Sequence, residues 1–224
     1  MFLEYPDFLT EQECEDIAEL VLDREEWVLK NIPTTVETTT YQGLTSKFYD
    51  FNWLPWIYDA GIDIGKRLFS VMPFAFHETL WIASWCNVSR QGEGLPMHNH
   101  ESTVSFLAQK NNLTPKGDIL EERYENGQLV QEISPEEQPL YVGHIFLSGR
   151  TETGTYYDEF KKVIPSSLGC LHVIDAKHDH KVVLNQYEEP RITMAMDIWH
   201  VDPAEHYEDD IETVMPKAYV VHQD

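Results

Sequence analysis

Apolar positions follow two rhythms along this chain, and the change between them falls near residue 75. Before it the spacing is helical. Thr10 and Glu13 form a capping box, with Leu9 and Cys14 placed as a hydrophobic staple. Cys14, Ile17, Ala18 and Val21 then recur on one face, predicting a packing helix of about three turns. Residues 30–50 are Thr-rich and irregular, with short strands expected around Val36 and Phe48. A second helix is predicted from Trp53 to Val71, with Ile57, Gly61, Ile64, Leu68 and Val71 on one side and Pro73 as its stop.

From Thr79 the period becomes two, in β-branched and aromatic runs. The predicted strands are 79–89, 98–109, 118–124, 128–133, 140–148, 155–164, 169–174, 179–185 and 190–199. Glu125-Asn126-Gly127 is a hairpin signal, because Asn-Gly tolerates the positive φ of a type I′ turn. Many short strands separated by loops predict a mainly β fold, a sandwich or jelly roll, with the preceding helices covering one outer sheet face. The 224 residues form one expected domain: helical support over 1–75, a β core over 79–200, and a loosely packed acidic tail over 202–224.

Charge narrows the partners. The formal net charge is −23, with a sequence pI near 4.6 and no local basic patch, so nucleic acid is not expected as a partner. Cys14, Cys86 and Cys170 are odd in number and lack a CxxC pair, which argues against a disulfide framework or a cysteine zinc site. No run of ~18 apolar residues would span a membrane, and the acidic start MFLEYPDFLT does not read as a signal peptide. A soluble, cytoplasmic protein is expected.

Of the ten histidines, His77, His144, His172, His200, His206 and His222 stand alone and read as structural or surface residues. Two clusters differ. His98-Asn99-His100 follows the Gly-rich loop Gly92–Pro96; if the triplet is extended, its two imidazoles share a face and could close on one metal ion. The plainer alternative is a histidine pair at a polar strand edge. His178-Asp179-His180 is the second cluster. His180 directly precedes the apolar run Val182-Val183-Leu184, and Arg191 follows eleven residues later at the start of the last core strand. Burying that arginine is costly without an anion. Its planar fork suits a carboxylate, and Thr193 shares its strand face. An internal Asp or Glu could equally be its partner.

Taken together, residues 84–106 and the pattern P-x-x-x-G-x-L…H…R-x-T (Pro165 onward) resemble the Fe(II)- and 2-oxoglutarate-dependent oxygenases, most nearly the prolyl-4-hydroxylase-like branch, over roughly residues 80–200. The opening Pro6-Asp7-Phe8-Leu9-Thr10 resembles the start of that branch, and residues 110–139 would be an inserted hairpin. The resemblance implies a double-stranded β-helix, or jelly roll, that binds Fe(II) and 2-oxoglutarate and hydroxylates a small-molecule or peptide substrate. His98 would be the first metal ligand, His180 the distal ligand, Arg191 the anchor of the far carboxylate and Thr193 its hydroxyl partner.

At residue 100 the chain departs from the family pattern, with His where an acid is usual. Either His100 is a ligand in a three-histidine site, the preferred reading, or Glu101 swings in, or the acid is missing and a water or halide fills the gap. An all-histidine site also suits zinc, copper or nickel. His178 is a rival for the distal role. Trp85, Asn87, Ser89, Tyr141 and Ser148 are weaker pocket candidates. Two further readings stand beside the oxygenase: a cupin-like metal protein, although Val104 and Ser105 occupy the place of that motif's Glu, and a metal-free jelly-roll interaction domain.

Overall fold

The computed structural model describes residues 1–31, 53–71, 79–100, 121–125, 128–132, 140–199 and 219–222. They form helices α1 (Glu11–Asn31), α2 (Leu54–Asp59) and α3 (Ile64–Val71). The strands are β1 (Phe2–Tyr5), β2 (Thr79–Ser89), β3 (Leu95–His98), β4 (Glu121–Glu125), β5 (Gln128–Glu132), β6 (Tyr141–Ser148), β7 (Gly154–Tyr157), β8 (Lys162–Pro165), β9 (Leu171–Asp175), β10 (His180–Val182), β11 (Arg191–Trp199) and β12 (Tyr219–His222). All named strand pairs are antiparallel. A six-stranded sheet runs β1-β9-β6-β11-β2-β12, a four-stranded sheet runs β3-β10-β7-β8, and β4-β5 is a separate hairpin. The architecture is mainly β.

The capping box forms: the Thr10 amide donates to Glu13 Oε2 at 2.9 Å and the Glu13 amide to Thr10 Oγ1 at 3.3 Å. Glu13 also receives Arg67 of α3, at 2.8 Å from Nη1 to Oε2 and through a second contact from Nη2 to Oε1. This pairing, with the cap bonds, holds the Glu13 carboxyl at about 2. The helix runs 21 residues, well past the three turns expected. The second predicted helix is two helices. Gly61 takes φ +91 and breaks the ladder, and Asp63 caps the new start by accepting the Lys66 amide at 2.9 Å.

Period-two alternation sorts the six-stranded sheet into two faces. Ile192, Met194, Met196 and Ile198 of β11 join Ile82, Cys86 and Val88 of β2 and Ile145 and Leu147 of β6 in one buried cluster with Cys14, Ile17, Val21, Ile57 and Leu68 of the helices. The opposite face of β11 carries Arg191, Thr193, Ala195 and Asp197 toward the four-stranded sheet.

Several expectations change. The predicted strand 155–164 is a hairpin, β7 and β8, turning through Lys161 at φ 49. Of the strand predicted over 98–109, His98 closes β3 and residues 101–109 lie outside the described residues; β1 was not expected. The tail was expected to pack loosely, yet its described piece, β12, pairs in register with β2. The strands of the Asn-Gly hairpin pair as the turn requires, Glu125 opposite Gln128. The turn residues themselves, Val36, Phe48, Pro73, His77, Glu101, His200 and His206 lie outside the described residues.

Candidate metal and dicarboxylate site

The first ligand candidates meet because of strand register. In the pairing of β10 with β3, His180 stands directly opposite His98. The chain then bends after β3, and the His100 amide donates to the Ala176 carbonyl at 2.9 Å, which turns His100 into the same space. The ring centroids are 4.4 Å apart for His98–His180, 5.2 Å for His100–His180 and 5.3 Å for His98–His100. One nitrogen from each ring lies within 4.8 Å of the others, a spacing that a single ion can close.

Each ring is held by its Nδ1. His98 Nδ1 lies 2.8 Å from the Pro96 carbonyl, His180 Nδ1 3.0 Å from the His178 carbonyl, and His100 Nδ1 2.6 Å from Asp197 Oδ1. Carbonyl and carboxylate oxygens only accept, so each neutral ring carries its proton on Nδ1 and presents the lone pair of Nε2. His180 Nε2 is buried and without a hydrogen-bond partner among the described residues. Burial, then repulsion from His100, pushes His98 down to about 4 and His180 well below the ordinary imidazole value. Both rings are therefore neutral at neutral pH, as metal ligation requires. Trp85 stacks on His100 at 5.6 Å and 18° and fixes its plane.

Arg191 stands further along the same cavity. It is 4% exposed, and its nearest polar contacts are long: Nη2 to Thr155 Oγ1 at 3.4 Å and to Ser166 Oγ at 3.5 Å. Nε and Nη1 have no hydrogen-bond partner among the described residues. Among the described residues no carboxylate pairs with it. Burial lowers it only to about 10, so it stays a cation. The internal-acid alternative thus has no support in the described residues. Two adjoining cavities share His144, Thr155, Arg191 and Thr193; the imidazole cluster opens into one, and Ser166 and His172 line the other.

The weaker candidates divide. Trp85 and Asn87 line the cavity, and Ser89 pairs with Arg191 across the sheet. Tyr141 packs on the opposite, helix-covered face, and Ser148 sits at a register shift beside Ile192. His178 turns away, bound to Asp175 at 3.1 Å and Glu159 at 3.0 Å.

Sequence reading missed Asp197 and His144. An aspartate among apolar residues in RITMAMDIW was the available signal, since it shares the face of Arg191 and Thr193. His144 pairs across the sheet with Ala195, which puts its ring on the cavity face, 4.9 Å from His180. Nothing in its own segment marked it.

No family model matches the sequence, and no curated protein matches it. Solved structures do. The nickel complex of ThoJ, a non-heme monooxygenase, superposes with a TM-score of 0.52 at 14% identity, over 88% of this chain and 73% of that one. Its apo form gives a TM-score of 0.53 at 13% identity over the same shares. The viral collagen prolyl hydroxylase of Paramecium Bursaria Chlorella virus-1, in its 2-oxoglutarate complex, gives 0.50 at 10% identity over 90% and 96%. At these identities the likeness speaks to fold alone: the chain shares the fold of this non-heme monooxygenase and this viral prolyl hydroxylase.

Proposed function

We propose that this protein is an Fe(II)- and 2-oxoglutarate-dependent dioxygenase that hydroxylates a small-molecule or peptide substrate, with its two main sheets forming a double-stranded β-helix. His98, His100 and His180 hold the metal, and Arg191 with Thr193 anchors the far carboxylate of 2-oxoglutarate. The observation that carries this reading is the pairing of two unmet demands in one cavity. Among the described residues, His180 offers a buried lone pair with no donor, and Arg191 is a buried cation with no anion. A metal-chelating dicarboxylate answers both.

The iron and the 2-oxoglutarate bound to it supply the oxidising chemistry; the protein binds, orients and excludes water. The Pro96 and His178 carbonyls and Asp197 keep the three rings in one tautomer, so no proton must leave a ligand Nε2 when metal enters. Thr155 and Ser166 support the guanidinium from β7 and the segment after β8, while Thr193 adds a hydroxyl from β11. Leu95 and Val182 wall the cavity with apolar surface, which strengthens the charge interactions inside it.

The all-histidine set is what a cupin-like metal protein would also show. The buried Arg191 favours the oxygenase, because metal binding alone leaves that cation unanswered. The test is succinate release from purified protein with iron, ascorbate and a panel of metabolites and peptides. Release by the wild type and its loss in His180→Ala support the assignment; release by His180→Ala or Arg191→Ala equal to that of the wild type overturns it.

A further inference from the structure

Among the described residues the convergent groups include no carboxylate, but one stands a single hydrogen bond further out. Asp197 is 0% exposed, and its Oδ1 lies 2.6 Å from His100 Nδ1. Its sheet neighbours across β2 and β6 are Ala83 and Val142, neither of which can share its charge. Its other oxygen, Oδ2, is buried with no partner, and His100 is its one ion-pair partner among the described residues. A buried carboxylate so placed is costly unless a cation lies on its axis, and the axis leads through the imidazole to the space where three rings converge.

Resting on the metal site proposed above, we propose that Asp197 is a positioning residue that supplies, through His100, the negative charge which an acidic ligand would otherwise bring to the metal. Charge balance in the cavity supports this. Arg191 brings one positive charge, a divalent metal two, a dicarboxylate two negative and Asp197 one negative, so the buried site is neutral when metal and dicarboxylate are both bound, and charged when either is bound alone. Without Asp197 the same loaded site would carry a net positive charge. The replacement of an acid by His at residue 100 is then an outward shift of the charge by one ring, and Asp197 compensates for it.

The test compares wild type with Asp197→Asn, whose amide oxygen can still accept the His100 Nδ1 proton. Mn(II) affinity is read by calorimetry, and the ligand field by the visible spectrum of the Co(II)-loaded protein. The expected result is a 10–100-fold weaker Mn(II) affinity and a displaced Co(II) spectrum, with far-UV circular dichroism unchanged. Equal affinity and an unchanged spectrum would overturn the role of Asp197 and leave the metal site standing; a wild type that binds neither metal would overturn the site itself. Should Asp197→Asn not fold, the wild type decides. In the Zn(II)-loaded protein, nitrogen-15 spectra should place the His100 Nδ1 proton well downfield of those of His98 and His180, which bond only to backbone carbonyls. Three similar protons would contradict the proposal.

Discussion

Arg191 and the histidines state the residue-scale case. A guanidinium buried with Nε and Nη1 unmet destabilises the empty protein. Arg191→Met should therefore raise the melting temperature of the metal-free, cosubstrate-free form, by about 1–3 kcal/mol in stability, while weakening 2-oxoglutarate binding ~100-fold, as loss of a charge-assisted pair implies. Calorimetry with Mn(II)-loaded protein checks the second part, and Mn(II) affinity itself should hold. The imidazoles set the pH dependence. Folding lowers His98 to about 4 and His180 well below its ordinary value. The unfolded chain takes up protons near pH 6.5 that the folded one refuses, so stability is full above ~6.5 and falls as pH drops toward 4. Denaturant midpoints between pH 7 and 4.5 should fall, and fall less steeply in His98→Gln.

Strand β11 shows what could and could not be seen at the scale of elements. Its alternation was legible, as were the capping box, the Asn-Gly hairpin and the breadth of the β region, because each depends on residues close in sequence. That Arg191, Thr193 and Asp197 share a face also follows from period two. What faces them does not. The opposition of His98 and His180 is a register between strands some eighty residues apart, and the turning in of His100 depends on the Ala176 carbonyl. Gly61 was placed on a helix face because its spacing fitted, whereas its positive φ ends that helix. Gly169 packs its backbone against the entry to α1. It takes φ +70, its carbonyl accepts the Leu9 amide at 3.0 Å, and an added Cβ would run into the Leu9 carbonyl oxygen. Gly169→Ala should cost at least ~2 kcal/mol, seen in chemical denaturation.

At the scale of the whole molecule, helices shield one face of the six-stranded sheet and leave its other face to the cavity. Among the described residues no helix is long and apolar enough to cross a membrane. The two ends of that cavity face are separate in chemistry, imidazole lone pairs at one and a guanidinium at the other, and under the proposed function metal and 2-oxoglutarate would occupy them together. The most direct measurement is the melting temperature of the protein with Mn(II) alone and with Mn(II) plus 2-oxoglutarate. At a hundredfold excess over Kd, 2-oxoglutarate should add about 2.7 kcal/mol, or roughly 5–10 °C, only when metal is present and not in Arg191→Met. A wild type stabilised by Mn(II) but indifferent to 2-oxoglutarate would contradict the account.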